Sequence, residues 1–121
     1  MPKLIKLSTF SDDRGHLTVI EKVLPFNIKR VYYIYKTNGK ERGFHRHKKT
    51  SQALIAICGK CQINIKNKIN NLNFILDSPK KCLLIEPNDF HWISNFSKEC
   101  ILLVLASHEF DPNDYIYETF A

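Results

Sequence analysis

The chain has 121 residues, of which 44% are hydrophobic and 25% are charged, and its formal net charge is +6. This length suits one compact domain over residues 1–121 and excludes two, and the ordinary apolar content excludes a disordered chain. No apolar run approaches the ~18 residues of a membrane span, and no charged segment followed by an apolar run opens the chain, so we expect no membrane partner, no signal peptide and a cytoplasmic location.

The elements predicted along the chain are short β-strands, separated by turn residues every eight to twelve positions. The predicted strands are His16–Lys22, Arg30–Tyr35, Gln52–Cys58, Cys61–Lys66, Asn73–Leu76, Cys82–Glu86, His91–Ser94 and Ile101–Ala106. A helical turn is credible only near the end, where Asp111 can cap it. Many short strands without intervening helices predict an all-β fold, either a sandwich or a barrel such as a jelly roll.

Positive charge is concentrated between residues 36 and 49, where Glu41 is the only carboxylate. The cations of this stretch are Lys36, Lys40, Arg42, Arg46, Lys48 and Lys49. Such a stretch either binds an anionic partner or forms a solvated surface. Because the other cations are dispersed and no aromatic and basic RNA-binding motif is present, we do not expect nucleic acid as a partner.

Among the cysteines, Cys58 and Cys61 form a CxxC pair, whereas Cys82 and Cys100 stand alone. A structural zinc site needs a second close pair of ligands, and a redox-active CxxC normally opens a helix. We therefore predict free thiols in a reducing compartment.

The stretch from Gly39 to Gln52, which reads GKERGFHRHKKTSQ, carries two histidines. If Phe44–Lys48 is extended, His45 and His47 face the same side of the strand. Two imidazoles a few ångströms apart can bind a metal ion or transfer protons near neutral pH. The pair alone leaves both interpretations open.

The spacing around this pair resembles the first cupin motif. Its positions are Gly39, His45, His47, Gln52 and Gly59, separated by five, one, four and six residues. Gln52 stands where the usual motif has a glutamate.

Pro87, His91 and Asn95 resemble the second cupin motif, with one residue fewer between proline and histidine and without the usual glycine. Together the two motifs imply a small jelly-roll barrel whose mouth holds His45, His47 and His91.

A metal ion is the less favoured use of these histidines. A shell of three histidines and one carboxylate suits a divalent iron, manganese or nickel ion. Gln52 removes the anionic ligand, and Arg42, Lys48 and Lys49 add positive charge nearby. We therefore predict acid–base chemistry without a metal or other cofactor.

Further segments between residues 12 and 117 carry a closer resemblance. They are Asp13-Arg14-Gly15, Pro25-Phe26, Ile28-Lys29-Arg30-Val31-Tyr32-Tyr33-Ile34, Arg42-Gly43-Phe44-His45, His47-Lys48-Lys49, Phe96, Leu102-Leu103-Val104-Leu105-Ala106-Ser107 and Asp114-Tyr115-Ile116. With them the chain resembles the WxcM-like cupins, sugar 3,4-ketoisomerases that act on dTDP-4-keto-6-deoxyglucose. The resemblance implies an isomerase that exchanges the ketone on carbon 4 with the hydroxyl on carbon 3, ahead of amination to a 3-amino-3,6-dideoxyhexose of surface glycans. It also implies a homodimer that exchanges N-terminal strands.

The chemistry of this reaction assigns roles to particular side chains. A base removes the proton on carbon 3, an enediol forms, and a proton is delivered to carbon 4; His45 is the predicted base and His47 its partner. A hydrogen-bond donor must stabilise the enediolate oxygen. Tyr33 is the predicted donor, and Tyr35, which has the same strand parity, is expected to contact the substrate.

Predicted substrate contacts extend beyond the reacting carbons. Arg14 and Arg42, with Lys48, are predicted to bind the diphosphate, because guanidinium groups grip phosphate oxygens in a bidentate fork. Gln52 and His91 are expected to contact the sugar. A histidine at position 91 resembles the members with galacto products, so the predicted product is dTDP-3-keto-6-deoxygalactose.

Three other functions compete with this one. A metal-dependent cupin such as a dioxygenase would need a bound ion. A sugar-binding cupin would have no catalytic activity. A 3,5-epimerase would enolise the same substrate, but such enzymes are usually longer and arrange their histidine and aspartate differently.

Overall fold

The computed structural model describes residues 2–119, which form twelve β-strands and one 3₁₀ turn. The strands are β1 (Lys3–Lys6), β2 (Ser8–Asp12), β3 (Gly15–Val19), β4 (Arg30–Tyr35), β5 (Arg42–His47), β6 (Gln52–Cys58), β7 (Cys61–Lys66), β8 (Asn71–Leu76), β9 (Lys81–Ile85), β10 (Phe90–Ser94), β11 (Ile101–Ala106) and β12 (Tyr115–Ile116). The predicted all-β fold is confirmed. The sequence pattern does not predict β1, β2 or β12, because these strands are mostly exposed or very short and lack a clear alternation of apolar residues. No helix in the described range has the length and hydropathy needed to cross a lipid bilayer.

Two five-stranded antiparallel sheets face each other across the core. The first has the order β1-β9-β6-β11-β4 and the second the order β12-β5-β10-β7-β8, while β2 and β3 form a separate hairpin. Leu54 and Leu102 of the first sheet pack in one buried cluster with Ile63 and Ile65 of the second. The expected barrel thus takes the form of two sheets that share no strand pairing within residues 2–119.

The outer face of the first sheet is only partly covered. Ile20, Leu24 and Phe26, from the segment after β3, pack against a second buried cluster that includes Ile55 and Leu105. Beyond this cover the outer face exposes a set of large apolar side chains, here called the outer apolar face: Val31, Tyr33, Tyr35 and Ile57.

A β-bulge in β5 shapes the entry to the histidine pair. His45 lies opposite His91 and Gly43 lies opposite Trp92, so Phe44 is an extra residue on this strand. Gly43 has φ +106° and Phe44 has φ +60°, both in the region that favours glycine. A Cβ on Gly43 would lie 3.0 Å from the His91 carbonyl oxygen and 3.1 Å from the Trp92 Cα. The glycine therefore permits the close approach of β5 to β10.

The 3₁₀ turn at Pro112–Asp114 brings the end of the chain back to β5. Asp111 caps it, as predicted, by accepting a hydrogen bond from the Asn113 N–H. The chain then continues into β12, whose Tyr115 pairs with His47. This turn places Asp114 beside the buried end of β5.

Candidate active site

A cavity of about 400 Å³ opens between β4, β5, β6, β10 and the segment of β12. Its polar wall is formed by Arg30, Tyr32, Arg42, His45, Gln52, His91, Tyr115 and Tyr117. Among the described residues, no carboxylate lines this cavity. The wall is therefore cationic and suited to an anionic ligand.

The three predicted histidines converge beside this cavity. The ring centroids of His45 and His47 are 4.9 Å apart, those of His45 and His91 are 4.8 Å apart, and those of His47 and His91 are 6.2 Å apart. His45 and His91 line the cavity, and His47 lies behind them with only 4% of its surface exposed. Arg46 points elsewhere, as expected from strand alternation, and donates to the Asn88 side chain.

His47 is held by a buried carboxylate that the sequence analysis does not identify as a site residue. Its Nδ1 lies 2.9 Å from Oδ2 of Asp114, which is itself 4% exposed. Asp114 also accepts from the Thr50 hydroxyl and from the Lys49 backbone N–H. Burial opposes ionisation of Asp114, but these hydrogen bonds hold the pKa of its carboxyl below the usual value. Asp114 is therefore an anion at neutral pH, and His47 donates to it through Nδ1.

His91 is a neutral imidazole in this site. Its Nδ1 lies 3.0 Å from the Asp89 carbonyl oxygen, which can only accept, so the proton sits on Nδ1. Burial and the neighbouring His45 lower the pKa of His91 to about 3. His91 therefore presents the lone pair of its Nε2 rather than a positive charge.

His45 combines access to the cavity with an imidazole that is uncharged at neutral pH. Burial lowers its pKa below the ordinary value, and a hydrogen bond to the Gly43 carbonyl and the charge of Asp114 act in the opposite direction. Its ring also packs 4.7 Å from the ring of Tyr115. A neutral, oriented imidazole at the cavity wall can act as a general base.

The neighbouring tyrosines Tyr32 and Tyr33 of β4 face opposite sides of the sheet. Tyr33 borders the cavity, but its ring stacks on Tyr35 at 5.8 Å, and these side chains are 62% and 55% exposed on the outer apolar face. Tyr32 faces inward, and its hydroxyl accepts from Nε2 of the buried Gln52. Burial, above all, raises the pKa of Tyr32, so its hydroxyl keeps a proton that it can donate.

The predicted cations divide between the cavity and the surface. Arg42 lines the cavity, whereas Lys48 is exposed and does not line it. Arg14 lies at the tip of the β2–β3 hairpin, where its side chain is 86% exposed and pairs with Asp12. Within this chain, Arg14 and Lys48 are therefore not brought to the histidines.

Arg30 is a cavity cation that the sequence analysis missed. Its guanidinium lies 4.4 Å from the centre of the Tyr32 ring and 5.3 Å from that of Phe110. Its Nη1 lies 3.5 Å from the Tyr115 hydroxyl. Among the described residues, no carboxylate pairs with Arg30, so it remains available to a negatively charged group in the cavity.

Strand parity could have revealed two of the missed residues. Arg30 and Tyr32 alternate with the exposed side chains of β4, so fixing the inward face of one would have fixed the other. Asp114 and Tyr115 belong to a segment whose position depends on a long-range return of the chain, which no local pattern encodes.

Metal binding finds limited support in this arrangement. Gln52 is 2% exposed and directs its amide nitrogen at Tyr32. Within residues 2–119, no group of three or more histidine, cysteine, aspartate or glutamate side chains could hold a metal ion. The described cysteines Cys58, Cys61, Cys82 and Cys100 are free thiols, as predicted.

The sequence of this chain is similar to proteins of known activity. Residues 1–121 match the family model described as FdtA: WxcM-like, C-terminal. A TDP-4-oxo-6-deoxy-alpha-D-glucose-3,4-oxoisomerase from Aneurinibacillus thermoaerophilus is 42% identical over 98% of this chain and 88% of its own length.

Solved structures show the same relationship. A mutant of a 3,4-ketoisomerase from Thermoanaerobacterium thermosaccharolyticum, in complex with TDP-4-keto-6-deoxyglucose, is 41% identical, with a TM-score of 0.93 over 97% of this chain and 87% of that chain. A 3,4-ketoisomerase from Helicobacter canadensis is 39% identical, with a TM-score of 0.93 over 97% of this chain and 90% of that chain. A 4-keto-6-deoxy sugar epimerase from Streptomyces spheroides, only 16% identical with a TM-score of 0.80 over 94% of this chain and 67% of that chain, shares the fold alone.

Proposed function

The chain belongs to the FdtA, WxcM-like family, and on this basis we propose that it is a nucleotide-sugar 3,4-ketoisomerase. It exchanges the ketone on carbon 4 of a dTDP-linked 4-keto-6-deoxyglucose with the hydroxyl on carbon 3. The observation that carries this proposal is the position of His45, which lies at the wall of a cationic cavity and is backed by His47. The named relatives support this activity and not a metal-dependent dioxygenase or a non-catalytic sugar-binding protein.

The reaction is a proton transfer through an enediol. His45 takes the proton from carbon 3, whose acidity is raised by the neighbouring ketone, and the electron pair forms the carbon–carbon double bond. Return of a proton to carbon 4, with movement of a proton from one oxygen to the other, gives the 3-keto sugar. A positioned general base of this kind contributes about 10²–10⁴ to the rate.

Donors near the histidines stabilise the enediolate. Tyr32 accepts a hydrogen bond from Gln52, which leaves its own O–H free to donate into the cavity. Arg30 lies beside the Tyr115 hydroxyl, and the Tyr115 ring contacts His45, so the guanidinium charge is close to the reacting carbons. Positive charge and donors fixed before the reaction lower the barrier without reorganisation.

Arg42 binds the diphosphate at the mouth of the cavity. It lines the wall, yet it belongs to the exposed start of β5. A planar guanidinium offers two parallel N–H donors to phosphate oxygens. The thymidine nucleotide is the one named in relatives, and its use by this chain is part of the proposal.

A homodimer accounts for the outer apolar face and for Arg14. Val31, Tyr33 and Tyr35 form an exposed apolar strip on an edge strand, which is typical of an interface rather than of a monomer surface. The β2–β3 hairpin, which exposes Phe10 and carries Arg14, pairs with no other strand of the described chain. Exchange of this N-terminal segment between subunits would bring Arg14 to a partner's cavity, and a monomer in sedimentation analysis at micromolar concentration would contradict it.

The central test is conversion of a defined substrate. The purified protein is mixed with dTDP-4-keto-6-deoxyglucose and the products are followed by NMR, with a 3-keto sugar as the expected result. Replacement His45→Asn keeps size and polarity and should lower turnover by about 10²–10⁴. The matched control is His108→Asn, because His108 bonds to Ser107 and does not line the cavity. An unchanged substrate, or a folded His45→Asn variant with normal turnover, would contradict the proposal.

A location in the cytoplasm and the absence of a metal remain predictions.

A further inference from the structure

We propose that Asp114 is a positioning residue for the isomerisation. It holds His47 with its proton on Nδ1 and keeps a negative charge behind the His45–His47 pair while His45 carries the proton taken from carbon 3. The role in proton transfer rests on the proposed function, whereas the tautomer assigned to His47 does not depend on any substrate.

The two carboxylate oxygens of Asp114 have different partners. Oδ1 accepts from the backbone N–H of Lys49 at 2.8 Å. Oδ2 accepts from Nδ1 of His47 at 2.9 Å and from the hydroxyl of Thr50 at 2.5 Å. Three donors therefore hold a buried anion in one orientation, and the backbone donor cannot change its role.

The other ring nitrogen of His47, Nε2, is buried and has no hydrogen-bond partner among residues 2–119. The rings of His45 and Tyr115 pack against the same imidazole, at 4.9 Å and 4.6 Å between centroids. A buried lone pair without a donor is costly unless the site uses it. The imidazole that carries this lone pair packs against His45, the residue that must accept a proton during the reaction.

The proton transferred in the reaction explains how the His47–Asp114 pair can contribute. When the C3–H bond breaks, its electron pair passes into the enediolate and the proton passes to His45, which becomes a cation. His45 is partly buried, so a cation there is poorly solvated. The lone pair of His47 and the charge of Asp114 stabilise that cation until the proton is delivered to carbon 4. No oxidant or reductant is required.

Titratable and charged groups of the neighbouring strands surround His47. His45 lies on the same strand as His47, His91 faces it from β10 at 6.2 Å, and Tyr115 faces it from β12. Burial lowers the pKa of His47, the hydrogen bond and charge of Asp114 raise it, and Arg30 of β4 lowers it. Asp114 is the only carboxylate of residues 2–119 that shifts the pKa of His47, so its removal should lower that pKa.

The replacement Asp114→Asn keeps the volume of the side chain, removes its charge and changes which tautomer of His47 it favours. The Asn oxygen must still meet the Lys49 N–H, because a backbone donor has no alternative. Its NH₂ group then faces His47, whose Nδ1 can only accept from it, so the proton moves to Nε2. Long-range ¹H–¹⁵N NMR of the histidine rings should show His47 with its proton on Nδ1 in the wild type and on Nε2 in the variant.

Kinetics give a second readout. Turnover of Asp114→Asn should fall at least about tenfold, but by no more than the about 10²–10⁴ that a positioned general base contributes. KM should change little, because Asp114 does not line the cavity. The acid limb of the kcat profile should move to lower pH, because the charge that raised the pKa of the pair is gone. A purely structural defect would lower the plateau without moving this limb.

Two controls accompany the variant. Thr50→Val removes a hydrogen bond to the same oxygen but keeps the charge, so the His47 tautomer should stay as in the wild type. Asp89→Asn removes another buried carboxylate, one that caps the Glu86 N–H, and should leave the His47 signals unchanged.

Several outcomes would overturn the inference. A wild-type His47 protonated on Nε2 would do so even if Asp114→Asn fails to fold. A folded variant with an unchanged tautomer, or with normal turnover, would do so as well. A wild-type protein that leaves the substrate unchanged would instead overturn the proposed function, and with it the role of Asp114 in proton transfer, while the tautomer result would stand separately.

Discussion

Replacing Gly43 with alanine tests whether the bulge in β5 sets the geometry of the histidines. The new Cβ would meet the His91 carbonyl oxygen at 3.0 Å and the Trp92 Cα at 3.1 Å, and both are backbone atoms that cannot rotate away. The positive φ of +106° adds strain. A residue forced into such a region costs about 1–3 kcal/mol, and crowding a packed site costs about another 1–3 kcal/mol.

The control for this variant is Gly39→Ala. Gly39 also has a positive φ, +74°, but a Cβ there would have nothing within 4 Å. Backbone strain destabilises both variants, whereas only Gly43→Ala is also destabilised by crowding against β10. The difference between their free energies of unfolding should therefore be about 1–3 kcal/mol.

Urea denaturation measures this difference directly. The chain has a single tryptophan, Trp92, which lies opposite Gly43, and circular dichroism provides a probe away from the bulge. Activity should fall as well, because His45 and His91 are paired across this bulge and a displacement of about 1 Å can cost about 10²-fold in rate. Equal stability of the two alanine variants, together with normal turnover of Gly43→Ala, would refute the reasoning.

Three further predictions concern the cavity. Tyr32→Phe should lower turnover and remove about 1–3 kcal/mol of stability by leaving the buried Gln52 amide without its partner. The exposed Tyr33→Phe should change stability by no more than about 0.5 kcal/mol; the reverse order in parallel melts and assays would support Tyr33 as the donor instead. Activity should survive exhaustive dialysis against EDTA, because Gln52 provides no anionic ligand; loss of turnover that added metal restores would favour a metal-dependent enzyme. The wild type should form dTDP-3-keto-6-deoxygalactose and His91→Arg should shift the product toward the gluco form, as read by NMR coupling constants; a gluco product from the wild type would count against it.

The sequence by itself determined the class of fold and the chemistry of the motif. Short alternating runs bounded by turn residues predict strands, because the two-residue period of a strand directly reflects which face is buried. The alternation of side chains along an extended Phe44–Lys48 segment placed His45 and His47 on one face, and the structure has both beside one cavity. A local pattern suffices here because both histidines belong to one strand.

The tertiary structure alone decided the surroundings of that motif. Whether Tyr32 or Tyr33 faces inward depends on the register of β4 against β11, and a shift of one residue exchanges the two faces. The apolar and aromatic side chains of β4 occupy both faces, so their composition does not reveal the inward one.

The same limit applies to Asp114, which lies 67 residues from His47 in sequence and 2.9 Å from it in space. The segment that carries it reads as a turn, and its sequence states nothing about what the turn packs against. Burial of that carboxylate, and hence its control over His47, follows from the return of the chain along β5. A local pattern encodes which groups a segment offers, whereas the pairing of distant segments decides which of those groups meet and in which state of protonation.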